Sequence, residues 1–210
     1  KMKKSLLNKF LEKIIPTLID KHGDAPSDEI IKMEELIPKP DDPQDVTFAK
    51  VFTSQGGKFS YCENLADFYS NFKNLLEESS WKKPYCSNDE LKKLLKPTEL
   101  YFEDDFSISD SSISTCEFLI AFNGSVMVSG QQTKNIKIEE LPEALIIVAY
   151  TSQIVKNIGE GLRGIQNKYG KSRPSLVTSI RTKESTSMMS DSDRTKNLHI
   201  FLIEDFKEHR

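Results

Sequence analysis

Several residue types that mark familiar kinds of protein are scarce or widely separated in this 210-residue chain. It holds only three cysteines, Cys62, Cys86 and Cys116, and no C-x-x-C pair. Structural zinc and iron–sulfur sites need closely paired thiolate ligands, so we expect this chain to bind no metal and no cofactor of its own. The simplest expectation is that the three thiols are free and buried.

Long apolar runs and an excess of one charge are also missing. No stretch reaches the roughly 18 apolar residues that a membrane-spanning helix needs, so we expect no membrane insertion. Basic and acidic residues number 29 and 32 and are interspersed, with a net charge of −3. This balance argues against a nucleic-acid-binding protein. The first residues lack a signal-peptide pattern, so we expect a cytoplasmic protein.

The first 44 residues read as an appendage to a larger domain. Apolar residues recur at helical spacing from Leu6 to Ile15, which predicts an amphipathic helix that Pro16 ends or kinks. Residues 21–45 are rich in proline and acidic side chains, as is typical of an extended connection. We therefore expect an N-terminal helix and connection over residues 1–44 and one domain over residues 45–210.

Strand-like and helix-like segments alternate through the larger domain. Apolar alternation or continuous apolar runs predict strands at residues 58–62, 81–86, 99–102, 145–150, 175–180 and 198–205. Helical spacing predicts helices at residues 45–52, 64–78 and 154–169, and a further helix after residue 90, where Ser87 and Glu90 form a capping box. This order is typical of an α/β fold with a mostly parallel sheet and helices on both faces. Residues 182–196 are polar and predict a surface loop.

An Asn-Gly pair, Asn123 and Gly124, interrupts the apolar run that begins near Cys116. Asn-Gly is the preferred pair for a type I′ turn, which needs positive φ at both central residues. Residues 117–122 and 125–129 would then be antiparallel strands, or a helix end followed by a strand. Because such turns can aim backbone N–H groups at an anion, Asn123, Gly124 and Ser125 are candidate ligand-binding residues.

A second candidate lies where the apolar run at residues 145–150 ends. Ligands of open α/β sheets bind outside the carboxyl ends of the strands. We expect a helix to start near Thr151, Ser152 and Gln153, and its free N–H groups would suit a carboxylate or a phosphate. The alternative is that Thr151 or Ser152 only caps that helix.

Glu117, beside Cys116, is the one candidate catalytic residue. A carboxylate can act as a nucleophile or a general base, but it needs a partner and an environment that perturbs it. The local sequence shows neither of them.

Four segments together resemble the LUD-domain family, the lactate utilization proteins of the short protein C type. They are TCEFLIA-x-x-GS at residues 115–125, LP with VAY-x-SQIV at 141–155, KYG with PSLVTSI at 168–180, and the ending LHIFLIED. The resemblance covers roughly residues 45–205. It implies a fold like that of the ribose-phosphate isomerase and CoA-transferase group. It also implies bacterial oxidation of L-lactate to pyruvate alongside iron–sulfur partner proteins, without a catalytic residue to carry over.

The chain departs from this family at two places. The family pattern at the turn is A-[RE]-T-G-[TS], where this chain has Phe122 and Asn123 at the second and third positions. The family's G-P-S-[RK]-T-A-D-I-E and G-x-H-G-P segments have no counterpart in residues 180–186, and no glycine follows Gly170. A glycine loop that lets a phosphate approach the backbone is therefore absent after that residue.

Three functions stay open at this point. The first is a component of lactate utilization, enzymatic or accessory, that works with a redox partner. The second is a divergent LUD domain that binds a small anion or a partner protein without chemistry. The third, an isomerase or CoA transferase, rests on fold analogy alone, and a transferase would need Glu117 or another carboxylate facing a cleft that admits CoA.

Overall fold

The computed structural model describes residues 36–182 and 195–205. The predicted N-terminal helix and most of the predicted surface loop lie outside these ranges. The division of the chain at residue 44 therefore stays a prediction.

Five α-helices, nine strands and five short 3₁₀ helices form the regular structure of the described residues. The helices are α1 (Gln44–Ser54), α2 (Leu65–Glu78), α3 (Asp89–Leu95), α4 (Gly130–Thr133) and α5 (Ile158–Tyr169). The strands are β1 (Lys58–Cys62), β2 (Pro84–Tyr85), β3 (Ser111–Thr115), β4 (Phe118–Ile120), β5 (Ser125–Ser129), β6 (Ala144–Tyr150), β7 (Ile154–Val155), β8 (Val177–Thr182) and β9 (Thr195–Ile203).

The strands form one mixed sheet in the order β2-β3-β6-β9-β8-β5-β4-β7, and β1 also pairs with β9. Strands β1, β2, β3, β6 and β9 run parallel to their neighbours, whereas β5 is antiparallel to β4 and β8. The predicted α/β fold with a mostly parallel sheet is confirmed. Within the described ranges, no helix is long and apolar enough to cross a membrane.

Strand β6 occupies the centre because nearly all of its residues are apolar and buried. It lies between β3 and β9, and aromatic clusters cover the two faces of the sheet. On one face Phe48 stacks on Phe52, with ring centroids 5.5 Å apart. On the other, Phe68 of α2 meets Phe201 of β9 edge to face at 5.5 Å. Burial on both faces explains why β6 reads as a continuous apolar run.

Two predictions about the segment between α2 and β3 were wrong. Residues 99–102 form no strand, and the strand in this part of the chain is β3, whose sequence SSIST looks polar. Its serines are buried, and the strand pairs on both sides, with β2 and β6. The predicted cap was also misplaced by one residue, since Asn88 and not Ser87 accepts the N–H of Leu91 at 2.9 Å.

The predicted antiparallel pairing across the Asn-Gly pair is confirmed, but the turn is not type I′. Ile120 pairs with Ser125, so four residues connect the strands, and Gly124 alone among them has positive φ, at 65°. Strand β4 ends early because the N–H groups of the next two residues, Ala121 and Phe122, bond to Val155 and Lys156 instead.

The predicted helix start after β6 was also misplaced. Thr151–Gln153 form a single 3₁₀ turn, and the chain then stays extended as β7, which pairs with β4. Helix α5 begins only at Ile158, where the side chain of Asn157 accepts the N–H of Glu160 at 3.0 Å. The pairing with β4 delays the helix by about two turns.

Replacement of Gly124 by alanine should destabilise the fold. A Cβ atom at this position would lie 3.1 Å from the backbone of Phe52 while the residue keeps a left-handed conformation. We expect Gly124→Ala to lower the free energy of unfolding in urea by about 1–3 kcal/mol.

The control is Phe122→Ala in the same turn. Phe122 is 78% exposed, so this change should move the unfolding free energy by less than about 0.5 kcal/mol. Equal effects of the two substitutions would contradict the packing described here.

Candidate functional site

The parallel strands β3, β6 and β9 end at the same edge of the sheet. Thr115 pairs with Val148 of β6, and Tyr150 pairs with Ile203 of β9. The residues that follow these strands are therefore brought together at the edge where open α/β sheets bind ligands. We call the turn Thr151–Gln153 the β6 exit.

The β6 exit holds a carboxylate of the chain itself, that of Asp205. The Oδ1 atom of Asp205 accepts the Ser152 N–H at 3.0 Å and the Thr151 hydroxyl at 2.8 Å, while Oδ2 accepts the Ser152 hydroxyl at 2.5 Å. Partial burial raises the pKa of Asp205, but these hydrogen bonds outweigh burial and hold the pKa below its ordinary value. The exit thus has the donors that an ionised carboxylate needs.

Gln153 connects the β6 exit to the end of β3. Its side-chain oxygen accepts the N–H of Tyr150 at 2.8 Å, and its side-chain nitrogen donates to the carbonyl oxygen of Cys116 at 2.7 Å. Both ends of the amide are thus used, and Gln153 fixes the distance between the two strand ends. The predicted candidates Gln153 and Glu117 consequently lie on neighbouring parts of one edge.

Glu117 is the centre of a buried polar network, which we call the Glu117 cluster. Its side chain has no solvent exposure. Oε1 accepts from Gln132 Nε2 at 2.9 Å, from Tyr169 Oη at 2.8 Å, and lies 2.7 Å from the Ser129 hydroxyl. Oε2 receives the Lys168 ammonium group at 2.8 Å. Four donors from β5, α4 and α5 therefore converge on one carboxylate.

The donors keep Glu117 ionised despite its burial. Loss of hydration raises the pKa of Glu117, but hydrogen bonds from Lys168, Gln132, Ser129 and Tyr169 together lower it below the ordinary value. Burial lowers the pKa of Lys168, but its hydrogen bonds to Glu117 and Tyr169 outweigh burial, so the pKa is above its ordinary value. The pair is an ion pair at neutral pH. A carboxylate with this many donors and no exposure is a poor nucleophile as the cluster stands.

The thiols show no sign of activation. Cys62, Cys86 and Cys116 are free and buried, as the sequence predicts. Burial raises the pKa of the Cys116 thiol far above its ordinary value, and it raises that of Cys62 to about 12. Among the residues that the structure describes, no group of three histidine, cysteine or acidic side chains could hold a metal ion.

The other predicted candidates, Asn123, Gly124 and Ser125, lie away from the β6 exit. Gln153 contacts the residues just before β4, whereas the turn follows the far end of that strand. Ser125 is fully buried, and its hydroxyl donates to the side chain of Asn123 at 2.7 Å. The structure brings Thr151, Ser152, Gln153 and Glu117 to one edge but leaves the turn apart. A ligand role for each of these residues stays a prediction.

Several residues at this edge were not predicted from the sequence as site residues. Asp205 is the last residue of the predicted strand at residues 198–205, and that position at a strand end is a signal that could have identified it. The donors to Glu117 carry no such signal, because Lys168 lies 51 positions along the chain from its partner.

These observations define an α/β-sheet protein whose polar and charged side chains gather at the carboxyl edge of its parallel strands. The chain belongs to the LUD domain family, whose profile matches residues 91–203, just over half of the sequence.

A solved structure supports the fold. The chain is similar to a DUF162 family protein from Deinococcus radiodurans, with 12% sequence identity and a TM-score of 0.56. The similarity covers 76% of this chain and 94% of that one. At this identity the likeness establishes the fold alone. No curated protein matches the chain.

Removal of the Glu117 charge should lower the free energy of unfolding and make that free energy depend less on pH in acid. Because the pKa of Glu117 is lowered on folding, its stabilisation is complete above the ordinary value of 4.5 and is lost as the pH falls through the folded value. We expect Glu117→Gln to cost about 1.5–3 kcal/mol of unfolding free energy at neutral pH, and less in acid. Urea unfolding from pH 7 to pH 3 measures both effects.

The exposed Glu140 supplies the control. Glu140→Gln should keep the wild-type dependence of stability on pH. A Glu117→Gln variant with the wild-type pH dependence would show that folding does not lower the pKa of Glu117.

Proposed function

We propose that this chain is a component of bacterial L-lactate utilization and acts in the cytoplasm with iron–sulfur partner proteins that oxidise lactate to pyruvate. Membership of the LUD domain family supports this role. The oxidation removes two electrons and two protons from each lactate. In this proposal the partner proteins accept the electrons, and the present chain binds and orients the small carboxylate.

The carboxylate that the β6 exit already holds is the observation that carries the proposal. Lactate and pyruvate present the same group as Asp205, and the hydroxyls of Thr151 and Ser152 with the Ser152 N–H would bind it in the same way. A ligand carboxylate would replace that of Asp205. The amide of Gln153, next in the chain, would border the ligand. Asn123, Gly124 and Ser125 remain candidates for a separate anion at the turn.

The alternative function is a divergent LUD domain that binds a small anion or a protein and performs no chemistry. The burial of Glu117 favours it, because the carboxylate has no exposed surface and Lys168 neutralises it. A CoA transferase would need a carboxylate that an acyl group can reach. Binding at the β6 exit is common to the lactate role and the non-catalytic alternative.

Titration of the protein with L-lactate, pyruvate, phosphate and CoA tests the position of the ligand. In amide NMR spectra we expect L-lactate and pyruvate to shift the resonances of Ser152 and Gln153. The double substitution Thr151→Val and Ser152→Ala should weaken binding about tenfold or more, since two hydrogen bonds to a charged group are lost. Asp205→Asn should strengthen binding because it removes an internal competitor.

The matched control is Ser172→Ala, at an exposed serine far along the chain from the exit. It should leave the affinities unchanged. Shifts confined to other residues, or full affinity in the double variant, would contradict the proposed ligand position.

Disruption of the gene tests the biological role. We expect the disrupted strain to lose growth on L-lactate and to keep growth on pyruvate, because only the oxidation step is missing. Growth yield on the two carbon sources is the measurement. Normal growth on L-lactate would contradict the lactate role and leave the non-catalytic alternative.

A further inference from the structure

Positive charge is concentrated in the segment of the chain that contains α5, although the chain as a whole is acidic. Residues 151–181 contain six basic side chains and one acidic side chain, a net charge of +5. The overall charge is −3, so the rest of the chain carries −8. Lys156 and Arg163, at the start and in the middle of this region, are exposed. Charge is therefore unevenly distributed along the chain, and one of the six basic groups, Lys168, is paired with Glu117.

Large apolar side chains are exposed within the same region. Ile158 and Leu162, one helical turn apart on α5, are 40% and 49% exposed. Phe122 is 78% exposed, and its N–H donates to the carbonyl oxygen of Lys156 at 3.0 Å. This bond places Phe122 beside the start of α5. We call Phe122, Ile158 and Leu162, with Lys156 and Arg163, the α5 face.

The packing of α5 leaves this face uncovered. The helix packs on the sheet through Gly161, Gly164 and Ile165. A Cβ atom on Gly161 would lie 3.0 Å from the terminal methyl carbon of Met127. A Cβ atom on Gly164 would lie 2.3 Å from the ring of Phe118, so the approach needs glycine. The side chains outside this contact stay in solvent. Exposed apolar groups with charged neighbours are typical of protein interaction sites.

We propose that the α5 face docks an acidic segment of a partner protein that carries apolar side chains. Phe122, Ile158 and Leu162 would be buried against the apolar residues, and Lys156 and Arg163 would attract the acidic ones. This inference goes beyond the lactate role and does not depend on it. The face lies at the N-terminal end of α5, whereas Lys168 and Tyr169 of the Glu117 cluster lie at its C-terminal end.

The chemistry of the face favours a protein segment over a nucleic acid or a membrane. A long polyanion would extend beyond the face, and the chain outside residues 151–181 carries −8. A short acidic segment would contact the basic region alone. The exposed Phe122 also needs an apolar counterpart, which a phosphate backbone does not offer.

The test is fluorescence anisotropy with a labelled helical peptide of about 14 residues that presents leucine and phenylalanine on one face and glutamate elsewhere. Two matched peptides replace the glutamates by lysine, or the leucines and phenylalanines by alanine. We expect the acidic apolar peptide alone to bind, and to bind more weakly as sodium chloride rises from about 50 to 300 mM.

Substitutions on the α5 face separate its apolar and charged parts. The pairs Phe122→Ala with Leu162→Ala, and Lys156→Glu with Arg163→Glu, should each weaken the peptide affinity about tenfold or more. The control pair is Tyr101→Ala with Lys137→Glu, at exposed residues outside the face, and it should change the affinity less than about twofold.

Three results would overturn the proposal: no binding of the acidic apolar peptide, unchanged affinity in either α5 pair, or preferential binding of single-stranded oligonucleotides or of phosphatidylserine vesicles. The lactate titration in Phe122→Ala with Leu162→Ala should match the wild type. Failure of docking can thus be distinguished from failure of the lactate role.

Discussion

The parallel pairing of β6 with β3 and β9 is the constraint on which the rest of this structure depends. Its register aligns Thr115 with Val148 and Tyr150 with Ile203, so three segments leave the sheet side by side. Alternate residues of β6 pack into the two hydrophobic clusters on opposite faces of the sheet, so a slip of one residue would exchange the two sets of side chains. The contacts at the β6 exit follow from it, whereas the Glu117 cluster also needs the β4–β5 hairpin and α5.

Two carboxylates, those of Glu117 and Asp205, lie at this edge, and their surroundings differ. Glu117 is fully buried and binds donors from three elements, so it joins α5 to the β4–β5 hairpin. Asp205 lies at the end of β9 and is held by an exposed serine, Ser152, and by Thr151. In the proposed function an exchangeable ligand replaces the second carboxylate, whereas the first stays paired with Lys168. The proposal thus gives Glu117 a structural role and the exit a binding role.

The elements predicted correctly are those whose buried positions form a run or an alternation of apolar residues within the segment itself. Strand β6 is a continuous apolar run, and the strand β1 alternates, so sequence periodicity identifies both. Strand β3 was missed because its sequence is polar although its serines are buried in the fold. The start of α5 was misplaced because β7 forms only through its pairing with β4. The contact between Glu117 and Lys168 joins residues far apart in the chain, so only the fold shows it. The basic segment at residues 151–181 was overlooked because the net charge of the whole chain is negative.

The most direct test of the proposed binding site is the structure of a crystal soaked with L-lactate. We expect the lactate carboxylate to take the bonds of Thr151 and Ser152, with Asp205 displaced and the Glu117 cluster unchanged. Lactate bound reproducibly at another place, with Asp205 still held by Ser152, would contradict it.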